Sequence, residues 1–243
     1  MDLRNPIFWK FIYDVIRSEF GFNYEKDVVA SILATTFRPR NPLSTIDIIN
    51  ELIRGKSVLI VGASNECVSS CKYFKEYDTV IAADGAMLCC INECGFIPNI
   101  VVSDLDGISA NIIRRFPKVI YVIHFHGDNV ETCVNSMRVI KEVNAKYVPT
   151  VQVYPNGFGT FIFGGFTDGD RAAYLGYYFH AKKLGLVGFN LFGPIGKYSK
   201  ITSSVSKYPY NVLIKRRKLM WAYRLLKLLK NLGRGEVSIE FLR

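Results

Sequence analysis

Apolar positions in the first 55 residues recur at the three- and four-residue steps of a helix. Ile7, Phe8, Phe11, Ile12, Val15 and Ile16 form one such stripe, and Gly21 follows its end. A second helical stretch covers about 27–37. Arg38-Pro39-Arg40-Asn41-Pro42 interrupts it, and Ser44 is then expected to cap a third helix ending at Gly55. From Ser57 the pattern changes to short apolar runs at Val58–Val61, Thr79–Ala83, Ile100–Ser103, Val119–Ile123, Val148–Val153 and Gly185–Phe189. Helical stretches near 65–76, 86–95, 109–116, 129–144 and 168–183 separate them. Strands alternating with helices predict an α/β fold, a mostly parallel sheet with helices on both faces. The expected organisation is a helical N-terminal extension over 1–55 and an α/β catalytic domain over 56–243. A last helix is predicted over about 215–232, with its apolar stripe on the domain rather than on a membrane, and 236–242 alternates like a final strand.

Composition narrows the class. The 243 residues are 49% hydrophobic, enough for a sizeable core, and no apolar run approaches the roughly 18 residues of a membrane span. Residues 1–10 carry Asp2, Arg4 and Lys10 and lack a signal-peptide pattern, so a soluble, cytoplasmic protein is expected. The net charge of +10 sits mostly in residues 200–243, where eleven Lys or Arg face Glu236 and Glu240. Charge confined to a tail argues against a general nucleic-acid binder, which spreads it along a groove. Six cysteines without a C-x-x-C pair fit no zinc motif and read as small buried hydrophobes. Cys67 and Cys71 are one helical turn apart, which leaves a disulfide between them open.

Candidate chemistry gathers after the strand runs, where parallel sheets bind ligands. Gly62-Ala63-Ser64 forms a small-residue turn that lets backbone N–H groups approach a phosphate. Asp84-Gly85-Ala86 follows the next run, and Ser103-Asp104-Leu105-Asp106-Gly107 the third. Residues two apart on an extended chain share a side, so Asp104 and Asp106 are expected to converge and to need a cation between them. Hard oxygen ligands in small number suit Mg²⁺ that also binds substrate phosphates. His124-Phe125-His126-Gly127-Asp128-Asn129 ends the fourth run, and Asp128 or Asn129 can also cap the helix that follows. Gly164-Gly165-Phe166-Thr167-Asp168-Gly169-Asp170-Arg171 opens a helix whose carboxylates suit metal and whose Arg171 suits phosphate oxygens. So many carboxylates on one rim point to metal-assisted chemistry on a polyphosphate, and neither a P-loop nor a protein-kinase motif set is present.

These blocks, with Pro98, Gly193-Pro194-Ile195-Gly196-Lys197-Tyr198-Ser199 and Lys215…Lys218-Leu219, resemble the archaeal-type 6-hydroxymethyl-7,8-dihydropterin pyrophosphokinases from about Val58 onward. That family is similar in fold to the thiamin pyrophosphokinases, whose acidic T-D-x-x-K-A block is like 167–172, with Arg171 at the lysine. Where the family's first turn often reads G-x-G-P-S, this chain keeps Gly62 and Ser64 and lacks the proline.

The resemblance implies attack by the pterin hydroxymethyl on the β-phosphorus of ATP, with AMP leaving. It implies Mg²⁺ on Asp104 and Asp106 with Asp84 in support, and Asp168 and Asp170 around a second ion. ATP phosphates would meet Gly62, Ser64, Arg171, Lys197 and Lys215, and the pterin His126, Asp128 and Asn129. A homodimer is consistent with the family. The rival readings are a nucleotide-sugar glycosyltransferase using D-x-D, and a non-catalytic nucleotide- or nucleic-acid-binding module using the basic tail.

Overall fold

Three helices precede the first strand: α1 (Pro6–Phe20), α2 (Tyr24–Thr36) and α3 (Pro42–Ile53). The computed structural model describes residues 2–153, 157–199, 209–233 and 235–242. Helix α1 begins where the Asn5 side chain accepts from Ile7 N and Pro6 fixes the first helical φ, and it ends on Gly21 at φ 68°. Helix α3 starts at Pro42, two residues before the expected cap, because proline at the first position is already set for a helix. Ser44 therefore lies inside the first turn, and its hydroxyl donates back to Asn41 O at 2.9 Å.

Among the described residues seven strands follow: β1 (Ser57–Val61), β2 (Thr79–Ala83), β3 (Ile100–Ser103), β4 (Ile120–His124), β5 (Tyr147–Thr150), β6 (Lys183–Val187) and β7 (Ser238–Phe241). They form one sheet in the order β5-β4-β3-β2-β1-β6-β7, and every pairing is parallel. The crossovers are α4 (Ala86–Cys94), α5 (Ala110–Arg115), α6 (Val130–Glu142), α7 (Asp168–Tyr178) and α8 (Pro209–Leu232). The helix expected near 65–76 is a 3₁₀ stretch, Asn65–Lys72. Lys200, Lys207, Arg234 and Arg243 of the basic tail lie outside the described residues.

The strands alternate between two cores, as a sheet covered on both faces requires. Val58, Ile60, Ile81, Val102 and Val122 join Trp9, Ile49, Tyr174 and Leu226, so α1, α3, α7 and α8 cover one face. Leu59, Val61, Ala82, Val101 and Ile123 join Ala30, Met87, Ile113 and Met137 from α2, α4, α5 and α6 on the other. The N-terminal helices thus share both cores with the sheet. Helix α8 buries Trp221, Ala222, Leu225, Leu226 and Leu229, each leucine contributing about 1.5–3 kcal/mol of apolar burial. Its stripe packs on the domain as the sequence predicts, and no helix among the described residues is long and apolar enough to cross a membrane.

The cysteine expectation needs correction. Cys67 bonds to Cys89 and Cys71 to Cys94, so two disulfides tie the 3₁₀ stretch to α4. Cys67 and Cys71 do not pair with each other, because α4 brings two cysteines beside them. Only Cys90 and Cys133 are buried free thiols.

Candidate functional site

The carboxyl ends of the strands open into a cavity of about 620 Å³, within the roughly 300–1,000 Å³ typical of ligand sites. Sheet order arranges its walls. Gly62–Ser64 after β1 and Gly188–Leu191 after β6 form one side, and His126–Asp128 after β4 with Gln152 after β5 form the other. Between them stand Asp84 after β2, Asp104 after β3 and Asp168 at the start of α7, which packs across β1, β2 and β3.

Asp84, Asp104 and Asp168 bring carboxylate oxygens within 4.8 Å of one another, the one such group among the described residues. Asp84 adopts φ 49°, a left-handed conformation that aspartate tolerates better than most residues. Its Oδ1 accepts from Ser103 Oγ at 2.6 Å and from Gly107 N at 3.2 Å. A Cβ on Gly107 would lie 2.1 Å from Asp84 Oδ2, so glycine there admits the carboxylate. Asp104 is 3.5 Å from His126 Nε2.

Burial, and then the charges of Asp104 and Asp84, push the Asp168 carboxyl well above the usual carboxylate range, with Arg171 and Lys215 opposing. Its Oδ1 is inaccessible and accepts no hydrogen bond; Arg171 Nη1 stands 3.7 Å away. An orphaned buried oxygen beside two further carboxylates is the donor set of a hard divalent cation, so the residues fit Mg²⁺.

The expected Asp104–Asp106 convergence is not what the backbone gives. Leu105 has φ 64° and is buried, so the chain turns instead of alternating, and Asp106 N donates to Asp104 Oδ1. Asp106 lines the same cavity from an exposed position, outside the group of three.

The other expected residues divide similarly. Gly62, Ser64, His126, Asp128, Arg171 and Lys215 all line the cavity. Gly62 N donates to Val187 O and Ser64 N to Gly188 O, and a Cβ on Gly62 would meet Gly188 O at 2.5 Å. The glycine thus serves the close packing of two turns. Asn129 is buried away from the cavity: its side chain accepts from His126 N and donates to His124 O and Asp104 O, bracing the loop instead of facing a ligand. Asp170 is fully buried and accepts from Phe166 N and Thr167 N at the start of α7, a capping role. Lys197 pairs with Glu93 at 2.5 Å on the outside of the loop. His124 is buried, and desolvation, then Arg171 and His126, hold its ring neutral.

Sequence reading missed Asn23, Lys26, Asp27, Gln152 and Lys218, all of which line the cavity. Asp27 sits in the first turn of α2, where a carboxylate is ordinary dipole compensation and gives no signal of a site. Lys218 is one residue in a basic helix.

The family described as 6-hydroxymethylpterin diphosphokinase MptE-like matches residues 39–193. The chain is 33% identical to the 6-hydroxymethyl-7,8-dihydropterin pyrophosphokinase of Methanocaldococcus jannaschii across the whole of both chains. It is 35% identical to the protein of that name from Pyrococcus furiosus, over 96% of this chain and 97% of the relative. The Methanothermobacter thermautotrophicus protein of the same name is 30% identical over the same shares. Similarity that runs through the N-terminal helices as well as the sheet establishes that this chain belongs to the MptE-like 6-hydroxymethylpterin diphosphokinase family.

Proposed function

We propose that the protein transfers the β,γ-diphosphate of ATP to the hydroxymethyl group of 6-hydroxymethyl-7,8-dihydropterin, releasing AMP. The observation that carries this reading is the Asp84–Asp104–Asp168 group standing mid-rim, between the glycine turns of β1 and β6 and the His126–Asp128 loop. Three carboxylates in such proximity repel one another strongly in the absence of a cation. Bound by these three residues, Mg²⁺ would offset the charge of the triphosphate.

The chain's own groups would do the rest by positioning. Arg171, Lys215 and Lys218 present cations to the cavity from α7 and α8, suited to phosphate oxygens. The His126–Asp128 loop would hold the pterin on the far side of the carboxylates from the β1 and β6 turns. In-line displacement would bring the hydroxymethyl oxygen to the β-phosphorus from the side opposite the bridging oxygen that leaves with AMP. A strong general base is unnecessary where the transition state is loose.

The test is product identity. ATP and the pterin, incubated with the protein and a divalent ion, should give AMP and the pterin diphosphate, and chelation should stop the reaction. ADP as the sole nucleotide product would overturn the mechanism. A preference for thiamin offered in parallel would overturn the substrate.

A further inference from the structure

Behind the site runs a buried polar chain that begins in the N-terminal helices. Asp27 is 5% exposed, and both its oxygens are engaged. Oδ1 accepts from Gly127 N at 2.8 Å and from Gln152 Nε2 at 3.3 Å, and Oδ2 accepts from the Tyr13 hydroxyl. Burial, then that bond to Asp27, pushes the Tyr13 hydroxyl up, so it stays a donor. Gln152 Nε2 also donates to Tyr13 Oη at 2.8 Å.

Only one orientation of the Gln152 amide suits these neighbours. Its NH₂ must face the Asp27 carboxylate and the Tyr13 oxygen, so its carbonyl faces the other way. There Oε1 accepts from Arg171 Nη2 at 3.2 Å and lies 3.2 Å from His124 Nε2. The opposite orientation would set NH₂ against the guanidinium. The Asp27 charge therefore decides what Arg171 finds behind it. Through Gly127 the same carboxylate also anchors the loop whose His126 faces Asp104.

We propose that Asp27 is a positioning residue for the reaction: by fixing the Gln152 amide it aims Arg171 at the phosphates, and by holding Gly127 it seats His126 beside Asp104. The proposal rests on the reading given under Proposed function, and its test separates the two.

Asp27→Asn, Arg171→Ala and the double variant would be compared for ATP affinity by titration with Mg²⁺ and no pterin, for kcat and KM, and for Tm. The asparagine amide presents a donor where only acceptors serve, which releases the constraint on Gln152. Asp27→Asn should weaken ATP binding by about tenfold and lower kcat by about 10- to 100-fold. In the Arg171→Ala background the same change should alter ATP affinity by less than about twofold, because the group it aims is gone. Gln152→Met should reproduce the Asp27→Asn loss of ATP affinity, and it reads the same coupling if the asparagine variant does not fold. A lowered Tm with kcat and KM unchanged would reduce Asp27 to a structural role. Losses at Asp27 and Arg171 that simply multiply would also overturn the proposal. Wild-type protein that releases no AMP would instead sink the proposed reaction, and the ATP titrations would still decide the role of Asp27.

Discussion

Replacing Asp168 by asparagine should make the metal-free protein more stable and the enzyme inactive. Asp168 lies within 4.8 Å of both Asp84 and Asp104, and at an effective dielectric constant near 20 each like-charge pair at that distance costs about 3 kcal/mol. Partial protonation and the lost attraction to Arg171 and Lys215 offset much of this, leaving a gain of about 2 kcal/mol, or about 4–8 °C in Tm for a chain of this size. The difference should depend on pH. A carboxyl whose folded pKa is raised contributes stability below its unfolded pKa and loses it as pH rises through the folded value. The advantage of the variant should therefore grow as pH rises and shrink as pH falls toward 4. Thermal unfolding of both proteins in chelator and in Mg²⁺ measures all of this. Wild type should gain Tm with Mg²⁺, and Asp168→Asn should gain little while losing at least about a hundredfold in turnover. A variant that melts below wild type in chelator and responds equally to Mg²⁺ would refute the reasoning.

Other consequences are equally specific. Asp104→Asn should cost about a hundredfold or more in turnover and Asp106→Asn less than about tenfold, since only Asp104 belongs to the three-carboxylate group; steady-state rates at limiting Mg²⁺ will rank them. Each disulfide spans 22 or 23 residues of sequence, so opening one should cost about 3 kcal/mol. Reductant should attack exposed Cys71 before buried Cys67, which timed alkylation and mass mapping would follow. Gly107→Ala should lower turnover by at least about tenfold, because its Cβ would displace the Asp84 carboxylate; a variant with normal rate would show that the loop yields freely.

Much of the fold was legible because strand and helix periods differ so plainly. Val58–Val61 and Ile100–Ser103 are short apolar runs alternating with helical stretches, which suits buried parallel strands, and placing chemistry at their carboxyl ends needs no more than a parallel sheet. What failed were expectations that needed local backbone detail. The D-x-D reading assumed an extended chain, and a left-handed Leu105 undid it. The cysteines looked inert because their partners lie 22 and 23 residues away, across a crossover. Asp27 could not be found because a carboxylate in a first helical turn looks the same whether it compensates a dipole or holds Gly127 and Gln152.

Strand order also fixes when in folding the site becomes complete. Strands β1 to β5 each pair with a sequence neighbour, so 57–150 closes only short loops, whereas β6 must return across α7 to pair beside β1, with Leu59 opposite Gly185. Loop-closure cost makes that return the slower event. Asp84 and Asp104 follow strands of the 57–150 unit, whereas Asp168 and Arg171 lie on α7 and Lys215 on α8, beyond it in the chain. A chain that has paired five of its seven strands therefore owns two carboxylates and neither the third nor the cations. Mg²⁺ and nucleotide should recognise only the finished sheet, which makes ligand binding a drag on unfolding rather than a spur to early collapse.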